Sequence, residues 1–441
     1  AGTMVVSMYQ AKRSLANSQL FDGTFINVWR GLYSESFAQR SNARGYDRII
    51  VAEPAAYKAI MAACPETISY DKAVTYLATF AAQFEGVENA DVIIDNVSND
   101  SAAAVNALLR AGKNVAMITE GDEKGNFICS YEDFLTIAKD YVITATGVYG
   151  ANYKAAVILN PLVFLPGKPA NNTSGYVETT LRSGSYNYRF DWLALTAMGF
   201  TMTEDLSKAN VIVGSQKLSD EALGAVKAGT PYMAYGATAF MGEGNFLLGL
   251  GVKLDSCTMG TDFLGRVVYP SNTLVNASYI NEADDVMYEY GTNWFTKIPE
   301  GATVLVQNAG KAPLQGCICL TDDELTEEFN QYNNGVVGFE YQSGKLDMAL
   351  FANVLNHKIH QTDEYTFISN FIFSRSLTET AYEGVAQPEN PDPVNPGKPE
   401  EPGKPDAPKT GDTSSIIVWV LAASFTVVMI PMTVTLKRKA R

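Results

Sequence analysis

A strand–helix–strand pattern that occurs twice is the feature that most constrains the fold of this chain. The first copy runs from Ala90 to Ile118 and the second from Ala209 to Tyr235. Each copy has a short apolar run, a helix-length stretch, an Ala-Gly pair and a second apolar run. Such spacing predicts parallel strands joined by a crossover helix. Gly112 and Gly229 suit the position just after a helix, where φ is commonly positive.

The repeat predicts an α/β fold class. We expect two tandem, related α/β domains of the flavodoxin-like or amidotransferase-like kind, over residues 1–145 and 152–382. After Gly242 the pattern turns to short strands, so the second domain should carry an added β-rich segment. A final amphipathic helix is predicted over residues 363–374.

The composition changes abruptly at Gln387. Residues 387–409 are rich in proline together with Glu, Asp, Lys and Gly, which is typical of an extended, semi-rigid spacer. Residues 416–436 carry no charge and are long enough for one transmembrane helix. Basic residues follow this apolar stretch, which favours a cytoplasmic C-terminus. The sequence therefore predicts attachment to a membrane through 416–436.

A short motif, Pro408-Lys409-Thr410-Gly411, lies between the spacer and the apolar stretch. Motif, span and basic tail, over residues 407–441, together resemble the LPxTG-like cell-wall sorting signal of Gram-positive surface proteins. That family normally has Leu where this chain has Ala407. The resemblance implies a sortase as partner, cleavage between Thr410 and Gly411, linkage of Thr410 to cell-wall peptidoglycan, and an extracellular position for the bulk of the chain. A plain single-span membrane protein is the alternative.

An anchor of this kind requires an export signal upstream. We therefore expect the chain to be the C-terminal piece of a longer precursor. The formal net charge of −15 argues against a nucleic-acid partner, because phosphate binding needs clustered Lys and Arg. The five cysteines are scattered without a CxxC pair, so buried free thiols are expected rather than a zinc ribbon.

Only two histidines exist in the chain, His357 and His360. On one helix they would share a face and could bind a metal together with Asp363 or Glu364. Half of this segment precedes the predicted helix, which weakens that geometry. Histidine pairs near such a turn are more often polar groups satisfied by hydrogen bonds. The two histidines are therefore weak metal candidates, and no metal or other cofactor is expected in this chain.

The turn after the strand Tyr232–Tyr235 is where an α/β domain would expose a nucleophile. Here the second domain resembles a class I glutamine-amidotransferase-like domain, through residues 209–213, 218–229, 231–236 and 344–372. The family has Cys at this strand-to-helix turn, which we call the elbow, whereas this chain has Gly236. The resemblance implies a degenerate domain without a catalytic residue. An amidotransferase-like hydrolase that uses Thr238 as an atypical nucleophile is the alternative.

Degenerate domains of this kind occur C-terminal to the catalytic domain of large secreted zinc carboxypeptidases of Gram-positive bacteria. Residues 290–295 and 350–364 look similar to such tails. The resemblance implies an upstream peptidase domain that binds zinc, since neither histidine of this chain begins the family's His-x-x-Glu motif. The predicted function is a non-catalytic, surface-anchored region that positions this peptidase for proteolysis, with peptide or glycan as a further partner.

A surface adhesin or glycan-binding module is the remaining alternative. Tyr288, Tyr290, Trp294 and Phe295 could stack on sugar rings, although alternating aromatic residues in strands more often belong to the core.

Overall fold

The computed structural model describes residues 5–10, 48–64, 90–148, 153–167, 186–240, 244–256, 260–280, 285–290, 293–310, 314–318, 330, 332–357 and 361–384, with isolated positions between 12 and 26. The chain divides into two units, Ala1–Gln387 and Pro388–Arg441. The predicted spacer (387–409), sorting motif and apolar stretch (416–436) lie outside the described residues. No helix among the described residues is both long enough and apolar enough to cross a membrane.

The first half of the chain contributes β1 (Phe25–Ile26), α1 (Pro54–Ala63), β2 (Asp91–Ile94), α2 (Asn99–Arg110), β3 (Val115–Ile118), β4 (Phe127–Ser130), α3 (Tyr131–Leu135), β5 (Ala145–Val148), β6 (Ala155–Ile158), β7 (Leu162–Phe164), α4 (Tyr186–Ala197), β8 (Thr201–Thr203) and β9 (Val211–Gly214). The second half contributes α5 (Asp220–Ala228), β10 (Tyr232–Tyr235), α6 (Ala237–Phe240), α7 (Gly244–Gly249), β11 (Lys253–Ser256), β12 (Gly260–Val268), β13 (Val286–Tyr290), β14 (Asn293–Lys297), β15 (Thr303–Asn308), β16 (Gln315–Ile318), β17 (Val336–Ser343), β18 (Leu346–Phe351), α8 (Tyr365–Ser374) and β19 (Leu377–Ala381).

The second copy of the repeat folds as predicted. Strands β9 and β10 pair in parallel, with Tyr232 opposite Ile212, and α5 connects them. Ser219 caps α5 by accepting a hydrogen bond from the backbone N–H of Ala222, and Gly229 ends the helix with φ at +117°. Strands β7, β8 and β18 extend the parallel part of this sheet.

The first copy differs from the prediction. Helix α2 forms, but β4 lies between β2 and β3 and pairs antiparallel with both. The cause is the short turn after β3, where Gly121 and Gly125 adopt positive φ and return the chain as a hairpin. The expectation of a parallel pair was therefore wrong for this copy.

Two sheets make up the mixed α/β architecture of the described residues. A six-stranded sheet has the order β19-β6-β3-β4-β2-β5, and all its neighbouring strands are antiparallel. A 13-stranded sheet joins the parallel strands, through β18, to the predicted β-rich segment. The predicted domain boundary at residues 145–152 does not separate the two sheets, since β6 and β19 complete the sheet that begins with β2.

Helix α8 links the two sheets. It begins at Tyr365, within the predicted range, and nine of its ten residues are buried. The ring of Phe373 lies 5.1 Å from that of Phe127 in β4 and 5.0 Å from that of Phe200 next to β8. A helix buried on every side must be apolar all round, as this one largely is. The segment between β18 and α8 lies at the carboxyl end of β10, where Nδ2 of Asn356 donates to the hydroxyl oxygen of Tyr235 at 3.2 Å.

Candidate functional site

The elbow after β10 is closed by a neighbouring side chain. Gly236 has φ at +84°, and its backbone N–H donates a hydrogen bond to the carbonyl oxygen of Phe351 at 2.9 Å. A Cβ atom at this position would lie 2.5 Å from Cγ2 of Val354, well inside van der Waals contact. Both the backbone conformation and the contact therefore favour glycine here, and leave no room for a Cys or Ser side chain.

The alternative nucleophile, Thr238, belongs to α6, and its side chain lies outside the described residues. The helix follows the elbow directly, with the N–H of Ala239 donating to the carbonyl oxygen of Gly236 at 3.1 Å.

A buried carboxylate network lies beside the elbow. Asp191, from α4, accepts hydrogen bonds at Oδ2 from the backbone N–H of Ser215 at 2.9 Å and from its hydroxyl at 2.7 Å. Its Oδ1 accepts from the hydroxyl of Tyr235 at 3.0 Å and from Nδ2 of Asn356 at 2.7 Å. All four residues are fully buried. Burial raises the pKa of the Asp191 carboxyl against the opposing effect of these hydrogen bonds.

This hydrogen-bond network joins four parts of the fold. It ties α4, the end of β9, the end of β10 and the segment after β18 to a single carboxyl group. The Ser215 hydroxyl donates to that carboxyl and is inaccessible to solvent, so it is not presented to a substrate.

A second buried carboxyl, Glu289 of β13, forms a separate network. Its Oε1 accepts from the Tyr332 hydroxyl at 2.6 Å and its Oε2 from Nδ2 of Asn353 at 3.0 Å. Burial raises the pKa of Glu289 to about 8, so this side chain is mostly protonated near neutral pH. Glycine at position 265 makes room for this network, because a Cβ atom there would overlap both Glu289 and Tyr332.

The weak metal candidates are placed only in part. His357 is fully buried, its backbone N–H donates to Oε1 of Gln361 at 3.2 Å, and its ring lies 6.2 Å from the ring of Phe190. His360 lies outside the described residues, so the pair stays a prediction. Glu364 is buried and accepts a hydrogen bond from the N–H of Tyr288 at 2.8 Å. Burial raises the pKa of Glu364 well above its usual value.

Across the described part of the chain, no three His, Cys, Asp or Glu side chains are grouped so that they could hold a metal ion. Of the cysteines, Cys64 and Cys129 are free, and burial raises the pKa of the Cys129 thiol to about 12. A thiol held in the neutral form is a poor nucleophile.

The aromatic residues considered for sugar binding belong to the core. Tyr288, Trp294 and Phe295 are all buried. The ring of Phe295 meets Phe339 edge-on at 4.9 Å, and the ring of Trp294 meets Tyr332 edge-on at 5.9 Å. These three side chains therefore cannot stack on a sugar, and the core interpretation is confirmed for them. The side chain of Tyr290 lies outside the described residues.

The Asp191 and Glu289 networks are not among the sites predicted from the sequence. The one local signal for the first is that Asp191 is an acidic residue directly between the large apolar residues Phe190 and Trp192. Its partners are far away in sequence, with Asn356 165 positions further along the chain. Spacing along the chain could not have revealed such a network.

No protein-family model matches the chain, and no curated protein matches its sequence. Among solved structures, a candidate GMP synthase component from Thermoplasma acidophilum is 11% identical, with 48% of this chain and 92% of that chain covered and a TM-score of 0.28. PurLQS from Thermotoga maritima is 14% identical, with coverages of 48% and 98% and a TM-score of 0.29. The β-galactosidase from Bacillus circulans is 12% identical, with coverages of 50% and 32% and a TM-score of 0.30. Similarities with TM-scores this low neither identify a family nor assign a function.

Proposed function

We propose that this chain is a non-catalytic region of an exported protein, anchored at a bacterial cell surface through residues 407–441. The observation that carries the non-catalytic part is the closed elbow. Gly236 has no side chain, and Val354 occupies the space that a nucleophile at that position would need. A nucleophilic hydrolase requires an exposed Ser, Cys or Thr with a base in hydrogen-bond reach.

The anchoring part rests on the order of four sequence features. A proline-rich spacer, a Pro-x-Thr-Gly motif, an uncharged stretch and a basic tail occur in this order within residues 387–441. A spacer of this composition would hold the folded unit away from the membrane. In this proposal a sortase joins Thr410 to peptidoglycan, and residues 416–436 hold the precursor in the membrane until cleavage.

We further propose a role for the whole protein, which would include a domain upstream of this chain. By its resemblance to carboxypeptidase tails, the folded unit would space and position an upstream zinc carboxypeptidase at the cell wall. Zinc would belong to that upstream domain. Tyr288, Trp294 and Phe295 are buried, so these three side chains give no support to a glycan-binding role.

The anchoring proposal is tested in the host that encodes the protein. Cell walls are digested with a muramidase, and released protein is detected with an antibody against the folded unit. Wild type and the control variant Thr413→Ala should both appear as wall-linked fragments. Thr410→Ala should instead remain in the membrane fraction. Equal wall linkage of Thr410→Ala would contradict the sorting signal.

The same material tests the role proposed for the whole protein. The wall-released protein should be longer than this chain and should remove C-terminal residues from peptides, and a zinc chelator should stop that activity. A wall-linked protein without any peptidase activity would contradict the carboxypeptidase assignment and leave the anchoring proposal intact. Binding to host-matrix proteins in place of peptidase activity would favour the adhesin alternative.

A further inference from the structure

A cavity of about 320 Å³ opens between α6, α7, β11 and β14. Five apolar residues form most of its lining: Phe240, Leu247, Leu248, Val252 and Leu254. Lys253 and Thr296 are the polar residues of the lining. Small-molecule sites are mostly apolar concavities of roughly 300–1,000 Å³ with a few placed polar groups. This cavity is at the lower end of that range and has the same composition.

The floor of the cavity is part of a packed core. Leu247 and Val252 are buried and belong to the apolar cluster around β10 and β18. The ring of Phe240 lies edge-on to that of Phe295 at 5.8 Å. The floor is therefore preformed, so a ligand would not have to order it on binding.

The mouth of the cavity combines an exposed apolar side chain with positive charge. Leu248, in the lining, is 58% exposed. Lys253 is the charged residue of the lining. It pairs across the strands with Lys297, which is outside the lining, and both are exposed. Like charges placed directly opposite each other in an antiparallel pair are unfavourable, and a bound anion would relieve that repulsion.

We propose that this cavity binds a small monocarboxylate with an apolar body. The body rests on Leu247, Val252 and Leu248, and the carboxylate faces Lys253, the charged residue of the lining. The apolar floor disfavours a highly charged ligand, and Lys253 favours an anionic head over a neutral one. This binding site is separate from the closed elbow and does not depend on surface anchoring.

The test uses the full chain in zwitterionic nanodiscs, with 3-phenylpropionate as probe and 3-phenylpropionamide as its neutral counterpart. Binding is followed by ligand-observed NMR, with empty nanodiscs subtracted. The acid should bind with a dissociation constant on the order of 1 mM, as expected for a ligand of this size. The amide should bind several-fold more weakly.

Three variants make the test specific to the cavity. Lys253→Gln should weaken binding of the acid about three- to fivefold, the effect of one partly exposed charge pair. Leu248→Asp should remove binding by placing a negative charge at the mouth, while Leu248→Asn should retain more of it. Lys217→Gln, an exposed lysine elsewhere, is the matched control and should bind as wild type. Equal binding of acid and amide, an unchanged Lys253→Gln, or no binding to wild type at about 10 mM probe would each overturn the proposal.

Discussion

Val354 lies against the α-carbon of Gly236, so that a Cβ atom at the glycine would come within 2.5 Å of Cγ2 of the valine. The elbow between β10 and α6 keeps the sharp turn of a nucleophile-bearing site but has no space for the nucleophile. Its backbone is held by the hydrogen bond to Phe351, which continues the pairing of β10 with β18. The shape of the turn is thus a consequence of sheet packing, and catalysis is not needed to explain it.

Replacing Gly236 with Ala should destabilise the protein. The positive φ costs a non-glycine residue about 1 kcal/mol or more, and the contact with Val354 adds an overpacking cost of about 1–3 kcal/mol. Chemical denaturation of the full chain in detergent, followed by tryptophan fluorescence, measures the free energy of unfolding. Gly224→Ala is the matched control, since a Cβ there meets nothing within 4 Å and the position is in the middle of α5. That control should be neutral or slightly stabilising. Equal effects of the two substitutions would contradict the closed elbow.

Replacing Arg375 should lower the free energy of unfolding substantially. Its guanidinium contacts Glu340 at 2.6 Å and Asp347 at 2.9 Å, and the Arg375 and Glu340 side chains are each only 10% exposed. Arg375→Met would leave two carboxylates without their cation in a largely desolvated place, at a cost of about 3 kcal/mol. Lys154→Met breaks the exposed pair with Glu120 and should cost less than about 1 kcal/mol. Denaturant midpoints of the two variants give the comparison, and similar losses in both would show that the Arg375 cluster is not desolvated.

Stability should fall as the pH rises from about 5 to 8, in part because of Glu289. Its pKa is about 8 in the folded protein, against an ordinary value of 4.5, so the folded state binds a proton that the unfolded state releases. The contribution of Glu289 to the free energy of unfolding is fully present below pH 4.5 and is lost as the pH rises through 8. The slope of this loss is up to about 1.4 kcal/mol per pH unit.

Glu289→Gln tests the origin of that slope. The amide can accept from Asn353 with its oxygen and donate to the Tyr332 oxygen with its nitrogen, so the network survives without a titrating group. Unfolding free energies measured at several pH values should show a shallower decline than wild type. Glu300→Gln, an exposed glutamate, should keep the wild-type slope. An unchanged slope in Glu289→Gln would mean that Glu289 is ionised in the folded protein.

The parts of the fold that depend on local pattern can be predicted from the sequence. The second repeat is predictable because β9, α5 and β10 are consecutive, with Ser219 and Gly229 marking the ends of the helix. The first repeat is predictable only in its elements. Its sheet depends on where β4 is placed, and the hairpin at Gly121 and Gly125 decides this.

Of the candidate site, only the missing nucleophile can be predicted from the sequence. The absence of a nucleophile at Gly236 is visible in the sequence. The contact with Val354, 118 positions further along, and the convergence of Ser215 and Asn356 on Asp191 come from tertiary packing. Distant residues that meet at the carboxyl ends of strands leave no local periodicity by which they could be recognised.

The most direct test of the non-catalytic account is a turnover measurement on the full chain. The protein is incubated with glutamine, with ammonia release as readout, and with an activated ester, with release of the alcohol as readout. We expect rates equal to those of heat-unfolded protein, with no difference between wild type and Thr238→Ala. Turnover that is present in wild type and lost in a folded Thr238→Ala variant would contradict it.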